Sequence, residues 1–163
     1  MTKLSSRNDS SQINRYQSTL LFCRLVQMNQ MTPLENIYSA IGEAAYAIAL
    51  SDGAIQREEK EKLEIILKGE FDGRIANTNH ATIIFHILQK ERSTIKDAYN
   101  AAMHTFNANS HYLSMDMKKH FVTILERVAS SFPPATAEEK ALIEKFKSDI
   151  LAIKIDETLS KDM

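Results

Sequence analysis

The chain has 163 residues, of which 44% are hydrophobic and 25% are charged, and these values suit one globular domain that can bury a core. Its net charge of −1, with no local basic cluster, argues against nucleic acid as a partner. The single cysteine, Cys23, excludes an intrachain disulfide, and no apolar run reaches the roughly 20 residues that cross a membrane. We therefore expect a cytoplasmic protein.

Three segments are predicted along the chain. Residues 1–30 are poorly patterned: residues 1–15 are polar, which predicts a tail, and residues 16–28 are compatible with a short helix. Residues 31–153 carry repeated helical patterns, and residues 154–163 are expected to fray. Only four glycines and three prolines occur in the whole chain, and this scarcity disfavours the turn-rich all-β folds.

The first strong helix signal begins at Thr32, which opens a capping box ending at Glu35, with proline at the first helical position. Apolar residues follow at helical spacing, namely Leu34, Ile37, Ile41, Ala45 and Ile48. A second helix is predicted from about residue 57 to residue 71, and its inward-facing residues are Leu63, Ile66 and Leu67.

Four further helices are predicted downstream. One starts near Asn79 and has an inner face made of Ile83, Ile84, Ile87 and Leu88. Ser93 caps the next helix, whose inner residues are Ile95, Ala98, Tyr99, Ala102 and Phe106. Ser114 caps a helix that buries Met117, Phe121, Ile124, Leu125 and Val128. Thr136 opens a second capping box, with Glu139, before a helix that buries Ile143, Phe146 and Ile150.

An internal repeat appears when the sequence is shifted by 80 residues without a gap. The shift places Ile37, Ile41, Ala45 and Ile48 on Met117, Phe121, Leu125 and Val128. It also places Glu58-Glu59-Lys60 on Glu138-Glu139-Lys140. We therefore predict an all-α fold, a single compact domain of six or seven helices with an internally duplicated helix–loop–helix unit.

The loop that joins the two helices of each unit carries the candidate chemistry. It reads SDGAIQREE in the first unit and SFPPATAEE in the second, so Asp52-Gly53 is replaced by Phe132-Pro133. A structural role explains the first loop, because Asp favours turns, Gly adopts positive φ and Glu is favoured in the first turn of a helix. The alternative is a divalent cation site, because hard cations prefer clustered oxygen ligands.

The cation interpretation follows from a comparison with the calcium-binding EF-hand loop. Asp52, Gly53 and Glu59 match its second half, but its opening acidic ligands would fall on apolar residues of the preceding helix. The loop is therefore not an EF-hand. A weaker site would form if Asp52 and Glu59 were joined by acids of the second unit, such as Glu138 or Glu139.

The stretch AYAIALSDGAIQREEKEKL, with its echo LERVASSFPPATAEEKALI, resembles the TerB-like domain of tellurite-resistance proteins, a relative of which begins the DjlA co-chaperones. The shared pattern is an apolar helix that ends in Ala-x-x-Asp-Gly and is followed by Glu, twice in an all-helical domain. The resemblance covers about residues 32–151 and implies an acidic metal site. Carried over by position, its ligands are Asp52, Glu58, Glu59, Glu138 and Glu139.

Two functions from different classes follow. The first is a non-enzymatic, cytoplasmic TerB-like protein linked to tellurite or metal stress, which binds calcium, magnesium or zinc. The second is a protein–protein interaction module, co-chaperone-like or a scaffold, with no metal site. An enzyme has the least support, because the five histidines lack metal-ligand spacing and no nucleotide-binding or hydrolase motif occurs. We expect another protein as the partner, and neither nucleic acid nor a membrane.

Overall fold

A computed structural model describes residues 31–51, 53, 55, 61–62, 64–66, 69, 80–130 and 136–154. By its internal contacts the chain divides into residues 1–32 and residues 33–163, and the fold below is that of the second unit. The α-helices with defined bounds are α1 (Pro33–Ala49), α2 (His80–Glu91), α3 (Ile95–Ala108), α4 (Met115–Ser130) and α5 (Ala137–Ala152). A 3₁₀ helix, Ser110–Tyr112, lies between α3 and α4.

The described residues contain no strand, which confirms the predicted all-α fold. None of the helices in this part of the chain has the length and apolar character needed to span a bilayer. The predicted N-terminal tail and all but the first residue of the predicted frayed C-terminus lie outside the described residues. The domain boundaries at residues 30 and 153 therefore stay predictions.

Helix α1 is the central element of the fold. Every residue from Ser39 to Ala49 is buried, and α1 contacts α2, α3, α4 and α5. A helix that is covered on all sides needs mostly apolar residues, and the alanine-rich sequence of α1 supplies them, with Ser39 and Glu43 as the buried polar residues of this stretch. The predicted inner residues are all buried except Leu34, which is half-buried.

The contact between α1 and α2 depends on Gly42. A Cβ atom at that position would lie 2.2 Å from the backbone carbonyl oxygen of Ala81, which is far inside van der Waals contact. The two helix backbones therefore approach each other more closely than any side chain at position 42 would allow. Further along, the Tyr46 ring of α1 packs edge-on against Phe85 of α2, with 5.5 Å between centroids.

The second predicted helix lies mostly outside the described residues. Positions 61–62, 64–66 and 69 are helical, and Ile66 is half-buried against the core as predicted. Ile65 is 71% exposed, so this helix has a solvent-facing side. The other two predicted inner residues, Leu63 and Leu67, are not among the described residues.

The inner face predicted for α2 is wrong in part. Its buried residues are Ala81, Thr82, Phe85 and Leu88, whereas Ile83 is half exposed and Ile84 and Ile87 are only half-buried. Polar residues recur at helical spacing, at Thr82, His86 and Gln89, but Thr82 is buried and the other two are half-buried, so this side does not mark the solvent face of the helix. The close approach at Gly42 turns the small residue Ala81 towards α1 instead.

The cap predicted for α3 is also shifted by one residue. Thr94, and not Ser93, is the N-cap, because the Thr94 hydroxyl oxygen accepts the Asp97 backbone N–H at 3.1 Å. Ser93 has another role, since its carbonyl oxygen accepts the Tyr46 hydroxyl at 3.0 Å. The predicted inner residues of α3 are buried apart from Ile95, which is half-buried against the core.

Helices α4 and α5 follow the predictions closely. The Ser114 hydroxyl oxygen accepts the Met117 N–H at 3.2 Å at the start of α4. The inner faces join in an aromatic cluster, in which the Phe106 ring of α3 lies 5.9 Å from Phe121 and 6.0 Å from Phe146. The predicted core residues of both helices are buried, except Met117, which is half-buried.

The internal duplication is not confirmed. Helices α1 and α4 are the first helices of the two predicted units, and the apolar positions that the 80-residue shift superimposes are buried or half-buried in both. Most of the second helix of the first unit lies outside the described residues, so the two units cannot be superimposed as wholes. The duplication stays a prediction.

Candidate functional site

Helix α1 ends in a turn held by backbone hydrogen bonds. The Leu50 N–H donates to the Tyr46 carbonyl, the Ser51 N–H to Ile48, and the Gly53 N–H to Leu50, each at 3.0 Å. The Ser51 hydroxyl also donates to the Ile48 carbonyl, at 2.7 Å. These bonds satisfy carbonyls that the end of a helix would otherwise leave without partners.

Gly53 adopts the positive φ that the sequence predicts for it. Its φ is +112°, and the residue is exposed. A Cβ at this position would meet no atom within 4 Å, so only backbone conformation selects glycine here. Three of the five predicted cation ligands, Asp52, Glu58 and Glu59, lie outside the described residues.

The two predicted ligands of the second unit have different surroundings. Glu139 is buried, and its Oε2 accepts the Thr136 backbone N–H at 2.8 Å, while the Thr136 hydroxyl oxygen accepts the Glu139 N–H at 3.2 Å. This reciprocal pair is the capping box that the sequence predicts. Glu138 is exposed in the same first turn. The structure thus engages the Glu139 carboxylate in capping α5 and leaves Glu138 open to solvent.

The described residues show no assembled metal centre. In this part of the chain no three His, Cys, Asp or Glu side chains are grouped so that they would hold an ion. Two histidines contact neighbouring side chains: the His86 Nε2 lies 2.9 Å from a Glu64 carboxylate oxygen, and the His111 ring is tilted by 53° against Tyr112, with 4.3 Å between centroids. With most predicted ligands outside the described residues, the cation site stays a prediction.

A cleft of about 480 Å³ opens beside the turn that ends α1. It lies between the end of α1 and the end of α2, and its lining residues are Tyr46, Leu50, Gly53, Ile55, Gln89, Arg92 and Ser93. Leu50 and Ile55 are half-buried against the core and give the cleft an apolar side. Gln89 and Arg92 are polar, and neither belongs to a motif in the sequence.

Arg92 holds an uncommon backbone conformation at the end of α2. Its N–H donates to the Gln89 carbonyl at 3.2 Å, and the Ser93 N–H donates to the Leu88 carbonyl at 3.0 Å. This pair of bonds is the Schellman motif, whose left-handed position is usually glycine. Here Arg92 occupies it with φ +54°, at a cost of about 1–2 kcal/mol for a residue with a Cβ.

A second cleft, of about 360 Å³, lies between α3 and α5 and contains a charged cluster. The Tyr99 hydroxyl donates to Asp149 Oδ2 at 2.7 Å, and Lys145 Nζ donates to the same oxygen and lies 4.1 Å from the Tyr99 ring centroid. Burial, and then the bond to Asp149, raise the pKa of Tyr99, while the bonds from Lys145 and Tyr99 lower the pKa of Asp149. The three groups satisfy one another, so this cluster ties α3 to α5.

Lys118 is a buried charge with a structural role. It is 1% exposed, and its Nζ donates to the carbonyl of Ile153, the residue that follows α5. Burial lowers the pKa of the Lys118 ammonium, because the charged form is the one that loses hydration. The helix dipole favours a cation at the carboxyl end of α5. The hydrogen bond from Lys118 therefore links α4 to the end of α5.

Comparison of the chain with protein-family models, with curated proteins and with solved structures found no match. The TerB-like resemblance therefore rests on the two motifs quoted above and on the all-helical fold.

Proposed function

We propose that this protein is a non-enzymatic, cytoplasmic TerB-like protein of the tellurite or metal stress response, which binds a divalent cation through the loop after α1. The observation that supports the cation site is the conformation of Gly53. Its positive φ and its exposure put a turn at the surface, next to Asp52 in the sequence and directly after the apolar helix. The link to stress rests on the resemblance alone.

The capping box of α5 narrows the proposed ligand set. Because the Glu139 carboxylate is buried and bonded to Thr136, we assign the site to Asp52, Glu58 and Glu59, with Glu138 as the acid that the second unit can add. All of these ligands are carboxylates. Oxygen ligands favour calcium or magnesium over zinc, which prefers nitrogen and sulfur.

Melting temperatures test this proposal, because an ion that binds only the folded chain must raise the Tm. An ion at a hundred times its Kd would stabilise the fold by about 2.7 kcal/mol. We would measure wild type and Asp52→Ala in EDTA and in millimolar calcium, magnesium or zinc. The matched control is Asp116→Ala, which removes an exposed acid from the first turn of α4.

We expect calcium or magnesium to raise the Tm of wild type and of Asp116→Ala. Neither ion should raise the Tm of Asp52→Ala. An unchanged wild-type Tm in every ion would contradict the cation site. An equal shift in Asp52→Ala would show that the ion binds elsewhere.

The second candidate function is protein–protein interaction, and the exposed apolar residues support it. Tyr112 is 43% exposed and Met115 is 45% exposed, three residues apart at the junction of the 3₁₀ helix and α4. A photo-crosslinking residue at position 112 should then capture one discrete partner protein in cells. The same group at the exposed Lys119 is the control, and equal capture at both positions would count against a specific surface.

A further inference from the structure

We propose that the cleft between the end of α1 and the end of α2 binds a carboxylate carried next to an apolar group, and that Arg92 holds the carboxylate. This proposal concerns a different ligand from the cation and does not depend on the cation site. It rests on the lining of the cleft, on the surroundings of the Arg92 side chain, and on the backbone conformation in which Arg92 is held.

The cleft has the size and the mixed lining of a small-ligand site. Its volume of about 480 Å³ lies in the range of ligand pockets, which are mostly apolar with a few placed polar groups. Here Leu50 and Ile55 supply apolar surface, and Gln89 and Arg92 supply donors. The apolar group of a ligand would contact Leu50 and Ile55, and its charged group would contact Gln89 and Arg92.

The two walls of the cleft are fixed to each other before any ligand binds. The Tyr46 hydroxyl of α1 donates to the Ser93 carbonyl, which directly follows Arg92. The Tyr46 ring is in turn packed against Phe85 of α2. The sides of the cleft that α1 and α2 form are therefore preformed, which favours binding, because a ligand would not have to order them.

The Arg92 residue is exposed and lines the cleft. Among the described residues, none of the ion pairs involves its guanidinium group. Two parallel N–H groups of a guanidinium match the two oxygens of a carboxylate, a geometry that lysine cannot reproduce. Gln89, half-buried on the same side of the cleft, offers an additional amide donor.

The backbone at Arg92 supports a role for its side chain. Glycine would satisfy the Schellman motif without strain, yet the chain has arginine at φ +54°. Strained backbone of this kind recurs where side chains clamp ligands. Arg92 directly follows helix α2, and the residue lines the cleft.

The probes are N-acetylleucine and its uncharged amide, N-acetylleucinamide, titrated by calorimetry into the full chain in buffer from which a chelating resin has removed divalent cations. The outcome is then independent of the cation site, and no soluble chelator competes with the probe. We expect the acid to bind wild type at least about tenfold more tightly than the amide, as suits a bidentate charged pair. Equal affinity for acid and amide, or no binding of the acid at millimolar concentration, would overturn the proposal.

Three variants locate the carboxylate. Arg92→Gly should weaken binding of the acid by about tenfold or more without lowering the Tm, because glycine suits the backbone. Arg92→Lys keeps the charge but loses the paired donors, and should bind with intermediate affinity. Lys90→Ala, which removes an exposed cation from the last turn of α2, is the control and should bind as wild type does. Unchanged binding in Arg92→Gly would refute the assignment.

A carboxylate next to an apolar group occurs both in small organic acids and at the carboxyl terminus of peptides. A pentapeptide that ends in leucine, with a free or an amidated terminus, separates these sources. Tighter binding of the free-terminus peptide than of N-acetylleucine identifies a peptide end as the ligand, and weaker binding identifies a small acid. Both outcomes require the free carboxylate.

Discussion

Helices α1 and α2 end in turns that both contain a residue with positive φ, but they fill that position differently. After α1 it is Gly53, at φ +112°, and after α2 it is Arg92, at φ +54°. Gly53 makes the turn without strain, whereas Arg92 makes a well-bonded Schellman motif in spite of its Cβ. The difference shows that the residue with positive φ is the one that suits the backbone after α1, whereas after α2 it is a residue whose side chain the backbone does not favour.

The largest expected effect comes from a second glycine, Gly42, which close packing requires and not a positive φ. Gly42→Ala would place a Cβ 2.2 Å from the Ala81 carbonyl oxygen, so α1 and α2 must move apart. We expect a loss of about 3 kcal/mol of unfolding free energy, the upper end for overpacking. Urea denaturation would measure it.

The matched control for this change is Gly69→Ala. Gly69 is helical and exposed, and a Cβ there meets nothing within 4 Å. Alanine should therefore stabilise the chain slightly, by roughly 0.5–1 kcal/mol. If both variants lost stability equally, close backbone approach would not be the reason for glycine at position 42.

Gly53→Ala should have the next largest effect, with a different cause. No atom opposes the new Cβ, so the whole loss, about 1–2 kcal/mol, would come from backbone strain at φ +112°. Gly53→Asn should lose less, because asparagine tolerates positive φ better than alanine. Equal losses for alanine and asparagine in urea denaturation would contradict this explanation.

A pH series separates these backbone effects from ionic ones. The folded-state pKa of Asp149 is lowered, so its contribution is present above the pKa of the unfolded chain and is lost as the pH falls through the folded value. Asp149→Asn should therefore cost stability at neutral pH, under about 1 kcal/mol for a side chain that is 38% exposed, and less in acid. The loss caused by Gly53→Ala should not change with pH. Thermal melts from neutral to acidic pH would show both behaviours.

The smallest expected effect has the opposite sign. Arg92→Gly removes about 1–2 kcal/mol of strain from the left-handed backbone of the folded chain. It also increases the conformational entropy of the unfolded chain, which lowers stability by about 0.4–1 kcal/mol. We therefore expect the free energy of unfolding to rise by roughly 0.5 kcal/mol. A slightly higher Tm by calorimetry would confirm it, and Arg127→Gly, a change inside α4, should lower the Tm. A clear loss of stability in Arg92→Gly would mean that the arginine side chain supports the fold.

The sequence predicted best those elements in which polar and apolar positions alternate with a clear helical period. The inner faces of α3, α4 and α5 are of this kind, as are the caps at Ser114 and Thr136. The predicted face of α2 was wrong in part because the polar residues of this helix do not mark its solvent side, since Thr82 is buried. The cap of α3 was misplaced because the neighbouring hydroxyls of Ser93 and Thr94 offer the same hydrogen bond.

The candidate sites were harder to predict than the fold. Glu139 fits both a capping box and a carboxylate ligand in the sequence, and only its buried bonds to Thr136 distinguish the two roles. The positive φ of Arg92 was not predicted, because a Schellman motif is usually recognised in a sequence by its glycine. The cleft that Arg92 lines joins residues about 40 positions apart, and no local pattern reveals such a pairing.

The position of α1 at the centre of the fold has a consequence for synthesis of the chain. Helix α1 comes first among the helices with defined bounds, yet the helices that cover it extend to residue 152. A nascent chain therefore carries an apolar helix that lacks its last neighbour until α5 has left the ribosome. Such a chain exposes aggregation-prone surface during translation, and this is a period in which a chaperone would be of most use to it.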